Sequence, residues 1–318
     1  MTYTSLLAQV SMALDEVRNR AYAQALRRVI TPESVVLDLG AGLGTLGLLA
    51  AKLGARRVYL VEPEDVASYA REIARANGLS DRVQVFQGRL EDVVLPGPVD
   101  VITSVMTGNF LVEEDLLPTL FRARDLYLKA GGVMLPSEGV MEVAPVSHPQ
   151  LQAEVFGPLE RDHLGLDVSC LREPLANTIR WGRRRLGEAT PLAPPTDLFP
   201  LEFTTAATAA CDAEVTLKAT ASGPLHGWLG WFRMRLGNEW LSTSPYEAPV
   251  HWRAAYLPVC EPRDVVPGER LTLRVQRPER GPWTWTTGVG QHEQRQSTFF
   301  GMPLTLETLA RRARNASS

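Results

Sequence analysis

Cysteine is scarce in this chain: Cys170, Cys211 and Cys260 are its only three in 318 residues. No Cys-x-x-Cys or Cys/His spacing joins them, so no structural zinc site is expected, and no metal at all. An odd, sparse count suits a reducing compartment. Long apolar runs are missing too, none approaching the length that spans a bilayer. Met1–Ala13 has no secretory leader pattern. These absences predict a soluble cytoplasmic protein with no membrane partner. Charge of one sign is also lacking. Basic and acidic residues number 33 and 36, and 33 − 36 = −3. No global field recruits nucleic acid. No repeat or low-complexity tract stands out. What is present is a hydrophobic content of 45%, enough for sizeable cores, in a length that suits one large domain or two ordinary ones.

The chain is organised around Val35–Glu62, VVLDLGAGLGTLGLLAAKLGARRVYLVE. An apolar run closes on Asp38. Gly40, Gly42 and Gly44 follow at every second position, then an apolar helical stretch, then Val58–Val61 ending in Glu62. The order reads as strand, glycine turn, helix, strand. Glycines let the backbone pass close beneath a ligand. The helix start points unpaired N–H groups at it. A carboxylate at the end of the next strand suits a ribose diol. Gly42-x-Gly44-x-x-Gly47 also matches a dinucleotide fingerprint. Asp38 turns the choice away from NAD, because a carboxylate before the glycines repels a pyrophosphate and pairs with an ammonium. S-adenosylmethionine (SAM) has that ammonium, a sulfonium, a ribose and no phosphate.

Around this unit the period predicts a helix across Met1–Ile30, either a plain surface helix or a lid whose Arg18 meets the methionine carboxylate. A helix is expected at Asp65–Asn77 and a strand at Val83–Gln87. Glu91, just beyond that strand, either accepts from the adenine amine or is a solvated helix start. Val99–Ser104 reads as a buried strand. The loop from Val105 to Glu114 follows it at the sheet edge where an acceptor meets the methyl group. Leu116–Leu128 reads as a helix and Lys129–Gly132 as a turn. After Gly139 the texture changes. Phe156–Arg185 is irregular. Leu198–Phe203, Glu214–Ala219, Gly227–Leu236, Trp252–Pro258, Leu271–Gln276 and Trp283–Thr287 read as short strands of a closed or nearly closed β-barrel. Trp228, Trp231, Trp240, Trp283 and Trp285 are expected in its core. Arg183-Arg184-Arg185 reads as a solvated run, and Glu307–Ser318 as a basic tail.

These residues resemble the protein arginine methyltransferases along nearly the whole chain. Met12-x-x-Asp15-Glu16-Val17-Arg18-x-x-x-Tyr22 is similar to the family's cofactor-covering helix. Val36-Leu37-Asp38-x-Gly40-x-Gly42-x-Gly44 matches its first motif. His226-Gly227 to Trp231-Phe232, Leu241–Pro245 and His251-Trp252 follow its barrel landmarks in order. The resemblance implies N-terminal helices over 1–30, an α/β Rossmann-like SAM-binding domain over 31–140, and a β-barrel domain over 141–318. It also implies an inserted helical arm at about 156–190 that makes a head-to-tail homodimer. By the same likeness Arg18 binds the methionine carboxylate, Asp38 and Gly40 the amino-acid part, Glu62 the ribose and Glu91 the adenine.

One departure stands against the matches. The family's substrate loop holds a guanidinium between two glutamates. Here Val105 stands at the first glutamate and Glu114 at the second, with Met106 and Thr107 where the family has an aromatic residue and Met. A guanidinium stays charged to about pH 12. Removing one charged partner of a buried cation costs on the order of 3–5 kcal/mol. The expectation is therefore a small-molecule acceptor with a flat apolar body, such as an indole or another aromatic amine. It would rest on Val105, Met106 and Phe110 and lose its proton to Glu114, with His251 beside it as a second catalytic candidate. Glu113 is the fallback if the loop shifts by one residue. His251-Trp252 either serves this site or packs the barrel beneath it, and Glu114 is alternatively a helix-start acid. The competing functions are methylation of arginine in peptides and a catalytically lapsed SAM-binding dimer.

Overall fold

The structure is a computed structural model describing residues 6–182 and 185–302. The expected basic tail, and Arg183 and Arg184 of the arginine run, lie outside the described residues. The described chain opens with α1 (Leu6–Ala13) and α2 (Glu16–Val29). The single helix expected here is broken at Asp15. Its side chain caps α2 by accepting from the Arg18 N–H at 3.0 Å, which ends one helix and starts the next.

The first domain is β1 (Val35–Leu39), α3 (Thr45–Lys52), β2 (Arg57–Glu62), α4 (Ala67–Ala76), β3 (Val83–Gln87), β4 (Val99–Ser104), α5 (Leu117–Tyr127) and β5 (Leu128–Leu135). The strands run parallel in the order β3-β2-β1-β4-β5. All five residues of β1 are buried, as a parallel strand covered on both faces requires. The chain leaves β1 for β2 on one side, while β4 lies on the other. The crevice beyond the carboxyl ends of β1 and β4 is thus the topological switch point. The turn expected at Lys129–Gly132 is a bulge within β5: Val99 pairs with Leu128 and Val101 with Val133.

The second domain is antiparallel. Its elements are β6 (Glu138–Ser147), α6 (Pro149–Phe156), α7 (Arg172–Ala176), β7 (Arg180–Gly182), β8 (Thr190–Pro191), β9 (Thr196–Glu202), β10 (Cys211–Lys218), β11 (Gly223–Leu236), β12 (Glu239–Ser242), β13 (Ala254–Val265), β14 (Arg270–Arg277), β15 (Thr284–Val289) and β16 (His292–Ser297). The expected barrel takes the form of two sheets. One is built on β7-β13-β11-β6-β8, with β12 on β11 and β9 on β6. The other is β10-β14-β15-β16. Trp228 and Trp285 are fully buried between them, their indole N–H groups donating to Thr287 Oγ1 at 3.1 Å and to the Pro258 carbonyl at 3.0 Å. Trp283 is buried there as expected, whereas Trp231 is buried outside that core, in a separate cluster with Leu151, Val155 and Phe156 of α6. Trp240 is not in the core: it is exposed, with the Arg233 guanidinium over its ring at 4.8 Å. Between α6 and α7 the expected helical arm contains two single 3-10 turns, Gly157–Glu160 and Ser169–Leu171, and exposes Leu164, Leu166 and Leu171. Among the described residues no helix is long and apolar enough to cross a membrane.

Candidate active site

The glycine turn between β1 and α3 is left-handed at Gly40, Gly42 and Gly44, with φ of +66°, +55° and +78°. Space and conformation both restrict it. A Cβ on Gly40 would lie 2.7 Å from Met106 Cγ, so the turn and the loop after β4 are packed together. A Cβ on Gly47 would lie 2.2 Å from Leu60 Cδ2, which shows that glycine there serves the close packing of α3 on β2.

Two carboxylates frame the turn. Asp38 is buried at the end region of β1, its Oδ2 accepting from the Gly47 N–H at 2.7 Å. Burial pushes its carboxyl up to about 7, against the pull of the Gly47 bond and of Arg18. Glu62 ends β2. Its Oε2 accepts from the Gly42 N–H at 2.7 Å and its Oε1 from the Glu64 N–H at 2.9 Å. Burial raises its carboxyl as well. Arg18 comes in from α2 and is only 3% exposed. Burial lowers its basicity. Its Nε and Nη2 donate to the neutral Asn19 amide oxygen at 3.1 and 2.8 Å, and no carboxylate lies within salt-bridge distance among the described residues. A buried cation facing a cavity with a neutral partner fits an anionic ligand group. Glu91 is exposed at the rim, on a 3-10 turn over Leu90–Asp92.

Arg18, Asp38, Gly40, Gly42, Glu62 and Glu91 all line one cavity of about 1020 Å³. Gly44 does not; it caps α3 beneath the turn. An ammonium, a carboxylate, a ribose and an adenine thus each find a suitable residue, so these residues fit SAM. Gln9 on α1 covers the turn, where a Cβ on Gly42 would lie 2.9 Å from its Oε1. The sequence reading did not single it out.

The same cavity continues past β4 to Val105, Met106, Thr107, Glu114, His251 and Trp252. The loop that forms this end is anchored at both sides. Tyr22 of α2 donates to the Ser104 carbonyl at 2.7 Å, Ser104 Oγ donates to the Leu39 carbonyl at 2.8 Å, and Trp252 Nε1 donates to the Thr107 carbonyl at 2.8 Å. Trp252 packs beneath the loop and also lines the cavity. Glu114 is left-handed at φ +76°. Asn109 Nδ2 donates to its Oε1 at 3.3 Å, and Asn109 Oδ1 accepts from the Arg253 N–H at 2.7 Å. Asn109 was not foreseen, because nothing local marks an amide that ties an acid to a loop of the other domain.

His251 lies on the same wall. Its Nδ1 is 3.0 Å from Asp15 Oδ2, and its backbone N–H donates to that oxygen at 2.7 Å. With Nδ1–H donated to Asp15, Nε2 is the basic nitrogen. Burial works to raise the Asp15 carboxyl, but the His251 bonds and the Arg18 N–H hold it below the ordinary range.

Two expected substrate contacts are corrected. Phe110 does not reach the cavity. It is fully buried and stacked on Trp283 at 5.4 Å, because the left-handed turn at Phe110 and Leu111 drives its ring into the second domain. Glu113 also faces away. Its Oε2 accepts from Trp283 Nε1 and lies 3.8 Å from Arg277 Nε, so the one-residue shift that would have exposed it is not the arrangement found.

The Methyltransferase domain family matches residues 36–132. The chain is 31% identical over 271 residues to protein arginine N-methyltransferase 6 of Xenopus laevis, covering 80% of this chain and 78% of that one. It is 47% identical over 147 residues to protein arginine N-methyltransferase PRMT10 of Oryza sativa subsp. japonica, covering 46% and 39%. Among solved structures it is similar to a chain of the Trypanosoma brucei PRMT1 enzyme–prozyme heterotetrameric complex with AdoHcy. That likeness has a TM-score of 0.84 and 27% identity, over 93% of this chain and 99% of that one. Arabidopsis thaliana protein arginine methyltransferase 10 follows at 0.77 and 26%, over 93% and 99%. A likeness that runs through the antiparallel sheets as well as the parallel one makes this chain a member of the protein arginine methyltransferase family, an enzyme whose methyl donor is SAM.

Proposed function

We propose that the acceptor is a guanidino nitrogen of arginine in a protein, held at Glu114. The observation that carries this reading is the placement of Glu114. A left-handed backbone and the Asn109 amide hold its carboxylate on the cavity that also contains Asp38 and Arg18. The names of the relatives support it. Bound SAM supplies a methyl group on a sulfonium, which needs only an in-line nucleophile. Arg18 holds the methionine carboxylate, Asp38 the ammonium, Glu62 the ribose diol and Glu91 the adenine amine. Glu114 would pair with the guanidinium and take the proton released as the N–C bond forms and the methyl–sulfur bond breaks, with S-adenosylhomocysteine as the leaving group. His251 is the second candidate for that proton.

Val105 favours a second reading, a neutral small-molecule acceptor such as an indole. It stands where a second carboxylate would complete a guanidinium clamp. Asp115 does not replace it, since both its oxygens are bound by Arg277. Incubation with methyl-labelled SAM, a glycine–arginine-rich peptide and a panel of indoles separates the two. Labelled peptide with the wild-type chain supports arginine. Labelled indole with unlabelled peptide replaces that reading with the second. Binding of S-adenosylhomocysteine with no labelled acceptor removes both and leaves a lapsed SAM-binding protein.

The oligomer is part of the same proposal. Leu164, Leu166 and Leu171 expose apolar surface on the segment between α6 and α7, and the Trypanosoma neighbour is described as a heterotetramer. A homodimer through this segment follows. The sparse cysteines, all three free, support a cytoplasmic setting.

A further inference from the structure

Four non-glycine residues of the acceptor loop are left-handed: Phe110, Leu111, Glu114 and Asp115, with φ of +47°, +65°, +76° and +53°. Such conformations persist only where the surroundings over-determine them. Nothing in the side chains of Phe110 or Leu111 favours them. The support comes from the far end of the chain, at the connection between β14 and β15. Arg277 ends β14, and its side chain is only 4% exposed. Its Nη1 and Nη2 donate to the two oxygens of Asp115 at 2.8 and 2.9 Å, and the Arg280 N–H adds a third bond to Asp115 Oδ1 at 2.8 Å. Trp283 precedes β15. Phe110 stacks on it, Glu113 accepts its indole N–H, and the Arg277 guanidinium lies over its ring at 5.4 Å. Both sides of Glu114 are therefore fixed by the second sheet.

We propose that Arg277 is a positioning residue for methyl transfer, acting through Asp115 and Glu113 to hold Glu114 on the cavity. The proposal rests on the reading of Glu114 as the acceptor carboxylate. Glu113, Glu114 and Asp115 are three adjacent acids, and Arg277 meets the charge of the outer two. Glu114, between them, lines the cavity. The bidentate fork on Asp115 also fixes the direction of the backbone at Asp115, which a point charge does not do.

The test uses the full chain with Arg277→Met, Arg277→Lys, Glu114→Gln and the pairs Asp115→Asn/Arg277→Met and Glu114→Gln/Arg277→Met. Amide exchange of the 108–116 segment, S-adenosylhomocysteine affinity, and kcat and KM on the labelled acceptor are measured. Arg277→Met is expected to speed exchange at Gly108, Val112 and Glu113 by about tenfold or more and to lower kcat by a similar factor. S-adenosylhomocysteine affinity should stay within about twofold, because Arg277 touches no group assigned to the cofactor. The Glu114→Gln/Arg277→Met pair should be no slower than Glu114→Gln alone. Arg277→Met leaves Asp115 unpaired; the Asp115→Asn/Arg277→Met pair removes both charges and is expected to show the same loss. Should neither fold, Arg277→Lys decides, and full kcat in it overturns the proposal. Unchanged loop exchange, or losses that multiply with Glu114→Gln, overturn it too. Full turnover in Glu114→Gln instead removes the acceptor reading, and the exchange result then judges the positioning role alone.

Discussion

The proposed pairing of Asp38 with the cofactor's ammonium would make binding a titration. Burial holds its carboxyl up at about 7 in the ligand-free chain, with Oδ2 on the Gly47 N–H. An ammonium beside it favours the ionised form and lowers that value again. Binding therefore releases a proton wherever Asp38 starts protonated. The sign follows. Above about pH 7 the carboxylate is already charged and affinity is at its plateau; below it, each pH unit costs about 1.4 kcal/mol, or a factor of ten. Roughly a hundredfold loss is expected between about pH 7 and about pH 5. Glu62, raised in the same direction, adds to the loss at the acid end. Calorimetric titration with S-adenosylhomocysteine reads this directly, since its ammonium stays protonated across the window. Two buffers of different ionisation enthalpy report the released proton. Asp38→Asn should weaken binding at neutral pH by roughly tenfold to a hundredfold, the worth of a charged hydrogen bond, and should flatten the curve. The same linkage acts on the ligand-free fold with opposite consequence. A raised carboxyl holds more protons folded than unfolded, so its share of stability is lost as pH climbs from the ordinary carboxylate range through about 7. A Kd that stays level from pH 7 to 5, or tightens in acid, would refute the pairing of Asp38 with the ammonium.

Other expectations are simpler. Glu114→Gln should lower turnover on the labelled acceptor by roughly 10²–10⁴-fold if this carboxylate takes the proton, measured by methyl-label transfer at saturating SAM. Arg18→Met should weaken S-adenosylhomocysteine binding, while adenosine, which has no carboxylate, binds the variant and wild type alike. Thermal shift should report about 2.7 kcal/mol of added stability with S-adenosylhomocysteine at a hundred times its Kd and none with NAD. Gly47→Ala forces a methyl onto Leu60 and should destabilise the chain by about 1–3 kcal/mol in urea unfolding. Leu164→Asp with Leu166→Asp should lower the mass seen by light scattering to that of one chain.

The cofactor half was legible because its chemistry is local. Asp38, Gly40, Gly42 and Glu62 lie within one strand–turn–strand unit, so spacing along the chain nearly equals placement in space. The strands of the second domain were legible from their length and their turns. Five were not: β7, β8 and β12 are only two to four residues long, too short to show a period, and β6 and β16 lack one for other reasons. β6 is buried along most of its length and carries Pro145, so it lacks strict alternation, while β16 (His292–Ser297) is a polar edge strand with few apolar residues to mark it. The acceptor loop was legible only in part. Its two glutamates could be named from the sequence, but which of them faces the cavity depends on left-handed backbone at Glu114 and on Trp283, far along the chain. Asp15 joins a local and a distant role: its Oδ1 caps α2, while its Oδ2 takes the His251 N–H from the other domain, a bond no local period records.

Those long-range bonds also bear on what Val105 means. A valine in an acid's place could have been offset by another carboxylate turned inward, and two candidates stand next to Glu114. Both are already committed, Asp115 to the Arg277 fork and Glu113 to the Trp283 indole. Releasing Asp115 would leave a buried guanidinium without its bidentate partner, at a cost on the order of 3–5 kcal/mol. The missing charge is therefore not hidden nearby at low cost. An arginine acceptor here must be held by one carboxylate and by contacts outside the guanidinium, along a peptide that reaches the cavity mouth. Binding should then depend on residues flanking the arginine more than on the arginine itself. A free arginine or a minimal guanidine should be a poor acceptor even where a long glycine–arginine-rich peptide is a good one. Equal kcat/KM for the two would place the recognition back inside the pocket, against the geometry around Val105.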